Sequence, residues 1–225
     1  MKDRSKKLLL AMIAEYINTA GPVASGFLVE KMGEEISSAT VRIEFVQLEK
    51  DGYIWQPHTS AGRVPTEKGY RFYLENLESK IGLSPIIKKQ LEKIISSSEM
   101  EKRQILKNIA KYLAEQSGEA VLLAFEKNDI FYTGLTNLFS QPEFADKDRV
   151  IDVTRVIDHL EKVVENLFDD IVDPTIKIGS ECPISKYCSA IFFRIDDSLL
   201  AIVGPIRMNY SHIMALLNYV SKIKL

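Results

Sequence analysis

The most constraining feature of this chain is the stretch from Ser37 to Tyr73, which reads SSATVRIEFVQLEKDGYIWQPHTSAGRVPTEKGYRFY. Ser37 and Ser38 can cap a helix, because their hydroxyls accept hydrogen bonds from free amides of the first turn. Apolar residues then recur at the spacing of one buried helical face, at Val41, Phe45 (or Val46) and Leu48. We expect the polar residues of the same helix to face away from the core: Thr40, Arg42, Glu44 and Gln47. Gly52 predicts the end of the helix.

A short β-ribbon is predicted directly after this helix. Residues 53–56 have strand propensity, and residues 63–65 return after a loop that contains Gly62. Pro65 has no amide hydrogen to donate, so it suits the edge or end of a small ribbon. The tip of the ribbon combines a histidine and an arginine with small or hydroxylic residues, which can approach a phosphate closely.

Helices are also predicted on both sides of this stretch. Upstream, one apolar helical face includes Leu9, Met12 (or Ile13) and Tyr16. After a break at Gly21-Pro22, a short helix that ends at Gly33 is predicted through Phe27, Leu28 and Met32. Downstream, Thr66 is expected to cap a further helix. The two upstream helices and the helix after Ser37 form a three-helix core, and together with the hairpin, in about 70 residues, they predict a winged helix-turn-helix domain.

This arrangement predicts DNA binding. In helix-turn-helix proteins the N-terminal residues of the second helix meet base edges in the major groove. A basic-tipped ribbon beside it can place a cation at the neighbouring backbone. The candidate DNA-binding residues are therefore Ser38, Thr40 and Arg42 in the groove, His58, Thr59, Ser60 and Arg63 on the ribbon, and the basic Lys68 and Arg71. For the helix alone, an ordinary amphipathic helix with a solvated face remains an open alternative.

Composition is compatible with a specific DNA-binding protein. The 225 residues are 46% hydrophobic, enough for a real core in one or two domains, and the formal net charge of −2 is not that of a protein that coats nucleic acid in bulk. A sequence-specific DNA-binding protein needs only a local basic face, since phosphate contacts set much of the affinity. No run approaches the 18 apolar residues of a membrane span, and no signal peptide is evident, so we expect a cytoplasmic protein without a membrane partner.

No motif predicts catalysis, a cofactor or a metal. The sequence contains no phosphate-cradling glycine-rich loop, no nucleophile elbow and no paired metal-ligand motif. The two cysteines, Cys182 and Cys188, are too few for a structural zinc site, which needs four ligands. We expect them to be reduced and structural.

The rest of the chain predicts helices beside an antiparallel sheet. Helices are expected at residues 85–95, 99–116 and 209–222. Strands are expected at residues 120–125, 130–135, 175–178, 188–194 and 199–203. One long helix, from Asp146 to Phe168, carries an apolar stripe with alternating three- and four-residue spacing: Val150, Val153, Ile157, Leu160, Val164 and Leu167. The stripe is either a coiled-coil seam or the face that covers the sheet, and the second is favoured because two heptads are short for a coiled coil.

The wing segment resembles the heat-inducible transcription repressor family (HrcA), whose wing reads very nearly QPHTSAGR-[IV]-PT-x-KGYR-[FY]-Y. Residues 56–63, Pro65, Thr66, 68–71 and Tyr73 fit that pattern. Further family elements follow in order, in residues 133–138, 140–144, 178–181, 188–189 and 204–210. This chain departs from the family at three positions, where the family usually has Asn, Thr and Asp: Ile43, Ile206 and Asn209.

The resemblance also implies an architecture, and one part of it is shortened here. It implies an α+β protein, a winged helix-turn-helix followed by a GAF-like α/β domain, with domains at residues 1–80 and 101–225 and a helical connector at 81–100. Family members usually carry an inserted dimerisation domain between Phe125 and Ile130. In this chain the four residues between them predict a tight hairpin turn instead.

Two functions follow from these expectations. The resemblance implies a repressor of heat-shock (chaperone) genes that binds an inverted-repeat operator in double-stranded DNA as a homodimer, with chaperonin supply setting its activity. The alternative is a shortened relative that acts as a ligand-responsive or protein-interaction regulator with an altered DNA target.

Overall fold

The computed structural model describes residues 1–32, 36–77, 82–96 and 100–222. The chain divides into two compact units, Met1–Leu77 and Glu78–Leu225. The predicted end of the second helix at Gly33 lies outside the described residues.

Three helices form the core of the first unit: α1 (Asp3–Thr19), α2 (Ser25–Met32) and α3 (Ser38–Lys50). Their apolar faces meet, and the fully buried side chains include Leu8, Leu9, Met12, Ile13, Leu28, Val41 and Leu48. Between the alternatives for α3, Phe45 is buried whereas Val46 is 47% exposed. The predicted cap is confirmed, since Ser37 Oγ accepts a hydrogen bond from Thr40 N at 3.1 Å.

A two-stranded antiparallel ribbon follows α3. Its strands, β1 (Ile54–Trp55) and β2 (Val64–Pro65), are shorter than the sequence predicts. The next helix, α4 (Glu67–Glu75), begins at the predicted cap, where Thr66 Oγ1 accepts from Gly69 N at 3.2 Å. The same hydroxyl donates to Gly52 O at 2.7 Å. Thr66 thereby ties the start of α4 to the turn that ends α3.

The second unit contains the predicted antiparallel sheet with helices. Its helices are α5 (Pro85–Ile95), α6 (Lys102–Ser117), α7 (Leu135–Phe139), α8 (Lys147–Ile157), α9 (Leu160–Leu167) and α10 (Tyr210–Val220). Its strands are β3 (Ala120–Glu126), β4 (Asp129–Thr133), β5 (Thr175–Ile178), β6 (Cys188–Ile195) and β7 (Ser198–Pro205), in the order β4-β3-β7-β6-β5. Every adjacent pair is antiparallel. The turn between β3 and β4 is as tight as predicted, with Glu126 opposite Asp129.

The prediction of one long helix from Asp146 to Phe168 is wrong. The helix ends at Ile157, and α9 starts at Leu160 after a break at Asp158 and His159, where His159 has the non-helical dihedrals φ −136° and ψ 36°. The break lets both helices turn apolar side chains to one core, in which Val153, Leu160 and Val164 are buried. The stripe therefore covers the sheet and does not form a coiled-coil seam.

Candidate nucleic-acid interface

An open groove of about 510 Å³ lies between α3 and the loop that joins β1 to β2. On the helix side it is lined by Arg42, Phe45 and Val46, and by Ala24 and Ser25 from the start of α2. The loop side comprises Gln56, Thr59, Ser60, Ala61, Gly62 and Arg63. Four of the predicted site residues thus face one groove: Arg42, Thr59, Ser60 and Arg63.

The loop is held from inside by the Gln56 side chain. Gln56 Nε2 donates to Thr59 O and to Ala61 O, both at 2.9 Å. A turn closes the tip, where Ala61 N donates to His58 O at 2.8 Å. Because one side-chain amide satisfies two loop carbonyls, the loop keeps its shape while His58, Thr59 and Ser60 stay exposed.

The base of the loop is clamped to the segment before α2. Val23 N donates to Arg63 O, and Arg63 N donates to Val23 O, both at 2.9 Å. At Gly62 the two segments touch so closely that an added Cβ would lie 2.4 Å from the carbonyl of Val23. Only glycine fits there without a shift of backbone, which explains the glycine at the end of the loop.

Two of the predicted cations bind groups of the unit itself. Arg63 Nε donates to Glu49 Oε2 on α3 at 3.2 Å, and its side chain is only 15% exposed. Lys68 Nζ donates to Asp51 O at 2.7 Å and lies 4.5 Å from the centre of the Tyr53 ring. A cation at the last carbonyls of a helix is favourable, so Lys68 also serves as a cap for the end of α3. The remaining predicted cation of this region, Arg71, is half-buried on α4.

The start of α3 is tied to α2 by hydroxyl groups. Ser38 Oγ lies 3.2 Å from Ser25 Oγ, and Arg42 Nε donates to Ser25 Oγ at 3.4 Å. Thr40 Oγ1 lies 2.9 Å from Ser37 Oγ. All three predicted residues of this helix take part in these contacts. Ser38 and Thr40 are half-buried, whereas Arg42 is exposed.

Glu44 is not on the solvent side of α3, where the sequence placed it. It is buried, and its carboxylate accepts hydrogen bonds from Ser5 Oγ at 2.6 Å and from Arg4 Nε and Nη2 at 3.0 and 2.9 Å. The hydrogen bond from Ser5 and the charge and hydrogen bonds of Arg4 hold the pKa of this carboxyl below its usual range. The partners lie on α1, about 40 residues away in sequence, so helical periodicity alone could not reveal the pairing.

The first unit is electrically balanced. Residues 1–77 contain ten lysines and arginines and ten aspartates and glutamates. Ion pairs join Arg4 to Glu44, Lys31 to Glu15, and Arg63 to Glu49. The unit therefore has no excess of cations, so any contact with a polyanion depends on where individual cations lie.

In the second unit, three of the segments shared with the resembled family meet at one place: residues 133–138, 140–144 and 204–210. Asn137 Nδ2 donates to Ala114 O and Glu119 O, and Gln141 Nε2 donates to Gly118 O. These bonds join the segment after β4 to the turn between α6 and β3. Arg207 Nη2 donates to Gln141 Oε1 at 2.7 Å and to Glu143 Oε2 at 3.1 Å, which ties the segment after β7 to the same point. The shared motifs therefore form a structural clamp.

Glu119 lies inside this clamp and has an unusual environment. Its carboxyl is buried, and Glu119 Oε2 has no hydrogen-bond partner among the described residues. Burial raises the pKa of this group to about 8, although the nearby charge of Arg207 lowers it in part. Gly204 leaves room for the carboxyl, since an added Cβ would lie 2.1 Å from Glu119 Oε2.

Other chemistry is sparse in the described residues. Both cysteines are free and buried in the sheet core, where burial raises the pKa of the Cys188 thiol. Among these residues, no group of three or more histidine, cysteine, aspartate or glutamate side chains could hold a metal ion. An apolar cavity of about 10 Å³ beside Leu122, Leu138 and Val153 is too small for an organic ligand. Across residues 1–32, 36–77, 82–96 and 100–222, no helix has the length and apolarity to cross a membrane.

Comparison with known proteins identifies relatives along nearly the whole chain. The family described as HrcA protein C terminal domain matches residues 74–214. The heat-inducible transcription repressor HrcA of Carboxydothermus hydrogenoformans is 27% identical, with 98% of this chain and 96% of the relative covered. The protein of the same name from Thermoanaerobacter sp. is 45% identical over 116 residues, 51% of this chain and 33% of the relative.

A solved structure shares the fold. A crystal structure titled as that of a hypothetical protein superposes with a TM-score of 0.81 at 19% identity, over 98% of this chain and 96% of that chain. The alignment with the Carboxydothermus protein is 327 residues long against 225 residues here, so more than a hundred positions of that relative have no counterpart in this chain. The direct β3–β4 hairpin is consistent with an internal shortening.

Proposed function

The chain belongs to the HrcA family, and from that membership we propose that it is a heat-inducible transcription repressor that binds double-stranded DNA through residues 1–77. The first unit then acts as a winged helix-turn-helix, with α3 in the major groove and the β1–β2 loop against the neighbouring backbone. The curated relatives that match along nearly all of their length carry the repressor name.

One observation carries this proposal: the groove between α3 and the loop joins an exposed arginine to an exposed, preformed loop. Arg42 lies in the second turn of α3, where a helix that enters the groove places its base-reading side chains. A loop held by Gln56 and clamped at Gly62 needs no ordering when it binds, and this lowers the entropic cost of a backbone contact.

The proposed contacts fall into two groups. Arg42 reads a base edge, and the exposed hydroxyl and imidazole groups of His58, Thr59 and Ser60 approach the phosphates. Ser38 and Thr40 lie at the N-terminus of α3, where helix amides favour an anion. Arg63 lines the same groove, and Lys68 and Arg71 are proposed as further phosphate contacts. Arg63 and Lys68 also hold the loop and α3 in position through Glu49 and Asp51.

The wider proposal follows the family. The protein is a cytoplasmic homodimer that binds an inverted repeat upstream of chaperone genes, and chaperonin supply sets its activity. Two copies related by a two-fold axis match two half-sites of such an operator. The alternative is a ligand-responsive or protein-interaction regulator with an altered DNA target; the cavity beside Leu122, Leu138 and Val153 is too small to hold an organic ligand for it.

The experiment measures binding to duplexes from upstream of chaperonin genes of the source genome, with scrambled duplexes for comparison. Arg42→Ala should cost about 1–3 kcal/mol on the specific duplex and relax sequence preference, as expected for a bidentate base contact. Lys162→Ala, an exposed substitution on α9, is the matched control and should bind normally. Equal losses on both duplexes would restrict Arg42 to phosphate contact, and equal binding of both duplexes by the natural protein would overturn sequence-specific recognition.

A further inference from the structure

The exposed face of α3 is apolar near its centre. Ile43 and Val46 are 70% and 47% exposed, and Ala39 lies one turn before Ile43 on the same side. Residues three and four apart share one face of a helix, so these three side chains form a continuous strip, hereafter the α3 strip.

The core of the unit does not need the α3 strip. The opposite face of α3 already supplies the buried Val41, Phe45 and Leu48. Single exposed apolar residues are ordinary on a protein surface, but these recur at helical spacing beside the exposed Arg42, and Val46 lines the groove with it. Such a position is more typical of a contact surface.

We propose that Ile43 and Val46 determine sequence specificity by packing against the 5-methyl groups of thymines in the major groove, an inference that rests on the proposed DNA binding. Thymine is the only base that presents a methyl group there, and apolar side chains recognise it by direct contact. Arg42, in the same turn, has the donors that guanine acceptors require. The strip and the arginine together select a T-containing step beside a G·C pair.

The charge of the surroundings favours DNA over a protein as the occupant of this face. The exposed Arg42 and Lys50 flank Ile43 and Val46 along the helix. These two exposed cations suit a polyanion such as DNA. Because the unit as a whole is electrically balanced, general attraction to phosphate is small. The proposed preference for one DNA sequence over another then depends on the contacts of Arg42, Ile43 and Val46 with base edges.

The test begins with duplexes selected by the natural full-length protein from a pool of random sequence. Each thymine of the best duplex is then replaced by deoxyuridine, which removes only the 5-methyl group. At one or two positions per half-site, the replacement should weaken binding about fourfold, the equivalent of about 0.8 kcal/mol for one buried methyl group. Ile43→Ala or Val46→Ala should abolish that difference at the position each residue contacts.

Controls separate this effect from a general loss of binding. Val172→Ala removes an equally exposed apolar side chain, 75% exposed, outside α3, and should keep the full thymine preference. Ile43→Asn should shift the selected base toward adenine, which asparagine binds through its N6 and N7 atoms. Since Ile43 and Val46 are both exposed, their substitution should leave thermal unfolding unchanged.

The outcomes distinguish this inference from the function it rests on. Failure to enrich any duplex would overturn the proposed DNA binding and the inference with it. Enriched duplexes that bind equally well with deoxyuridine would overturn the inference alone. The inference also fails if Ile43→Ala changes the oligomeric state while the thymine preference persists, because the strip would then face a second copy of the chain.

Discussion

Two buried carboxylates have opposite preferences for the proton. Glu44 is surrounded by donors from Arg4 and Ser5, which stabilise its charged form. Glu119 is buried beside Gly204, one of its oxygens has no hydrogen-bond partner within the described ranges, and desolvation disfavours its charge. The contributions of these two groups to stability should therefore change with pH in opposite directions.

Glu44→Gln should destabilise the first unit near neutral pH by roughly 1.5–3 kcal/mol, the range for a hydrogen bond to a charged group. The folded-state pKa of Glu44 is lowered, so its contribution is present above the unfolded-state pKa and is lost as pH falls through the folded-state pKa. Urea unfolding of the natural and variant proteins should thus converge in acid. The exposed Glu30→Gln serves as control, and an equal effect of both changes would contradict this role.

Glu119→Gln should stabilise the second unit in alkaline solution. The folded-state pKa of Glu119 is raised to about 8, so its favourable contribution is present below the unfolded-state pKa and is lost as pH rises through about 8. The variant cannot ionise, and its Tm should exceed that of the natural protein at about pH 9 and approach it near pH 5. The exposed Glu165→Gln should show no such trend. A variant that is less stable at about pH 9 would show that the charge is needed in the clamp.

At the scale of elements, the β1–β2 loop depends on one backbone contact. Gly62→Ala should lower the Tm of the first unit and weaken DNA binding, because the new Cβ would collide with the Val23 carbonyl and open the bridge to Arg63. Gly26→Ala on α2 is the matched control, since no atom lies within 4 Å of the new Cβ. It should be neutral or stabilising by about 0.5–1 kcal/mol. Equal Tm values for both variants would contradict the tight contact.

Local patterns predicted elements well where neighbours along the chain decide the structure. The caps Ser37 and Thr66, helix α5 and strand β5 lie where propensity and spacing placed them. The break between α8 and α9 was missed, because no glycine or proline marks it and the apolar stripe continues across it. Helix α7 was also missed, since only five residues form it after Gly134.

The groove between α3 and the β1–β2 loop could be predicted only in part, because some of its residues are held by partners that are distant in sequence. Arg42 and the exposed tip of the loop follow from residue type and local spacing. The contacts of Arg63 with Glu49, and of Glu44 with Arg4 and Ser5, join residues that are distant in sequence. Such pairings depend on tertiary packing, which overrides the simple division of a helix into buried and solvated faces.

At the scale of the molecule, the apolar stripe of α8 and α9 is buried against the sheet of the second unit. Val153, Leu160 and Val164 are at most 6% exposed, and most of the remaining stripe packs on the same core. Helices α5 and α6 offer another candidate surface for dimerisation. Helix α5 buries only Leu91 among the described residues and exposes Ile86 at 79%.

We expect the protein to dimerise through this helical pair despite the shortened β3–β4 connection. An inverted repeat needs a two-fold protein whose recognition helices lie roughly 34–36 Å, or a multiple of that, apart, and an isologous interface supplies the two-fold axis. Light scattering at micromolar concentration should give twice the chain mass of 25.5 kDa. Ile86→Glu should shift the equilibrium toward monomer, whereas Val172→Glu, at a site of similar exposure, should not. The dimer prediction is wrong if the natural protein is monomeric in solution and binds its duplex as a single copy. One assembly could then not recognise both half-sites.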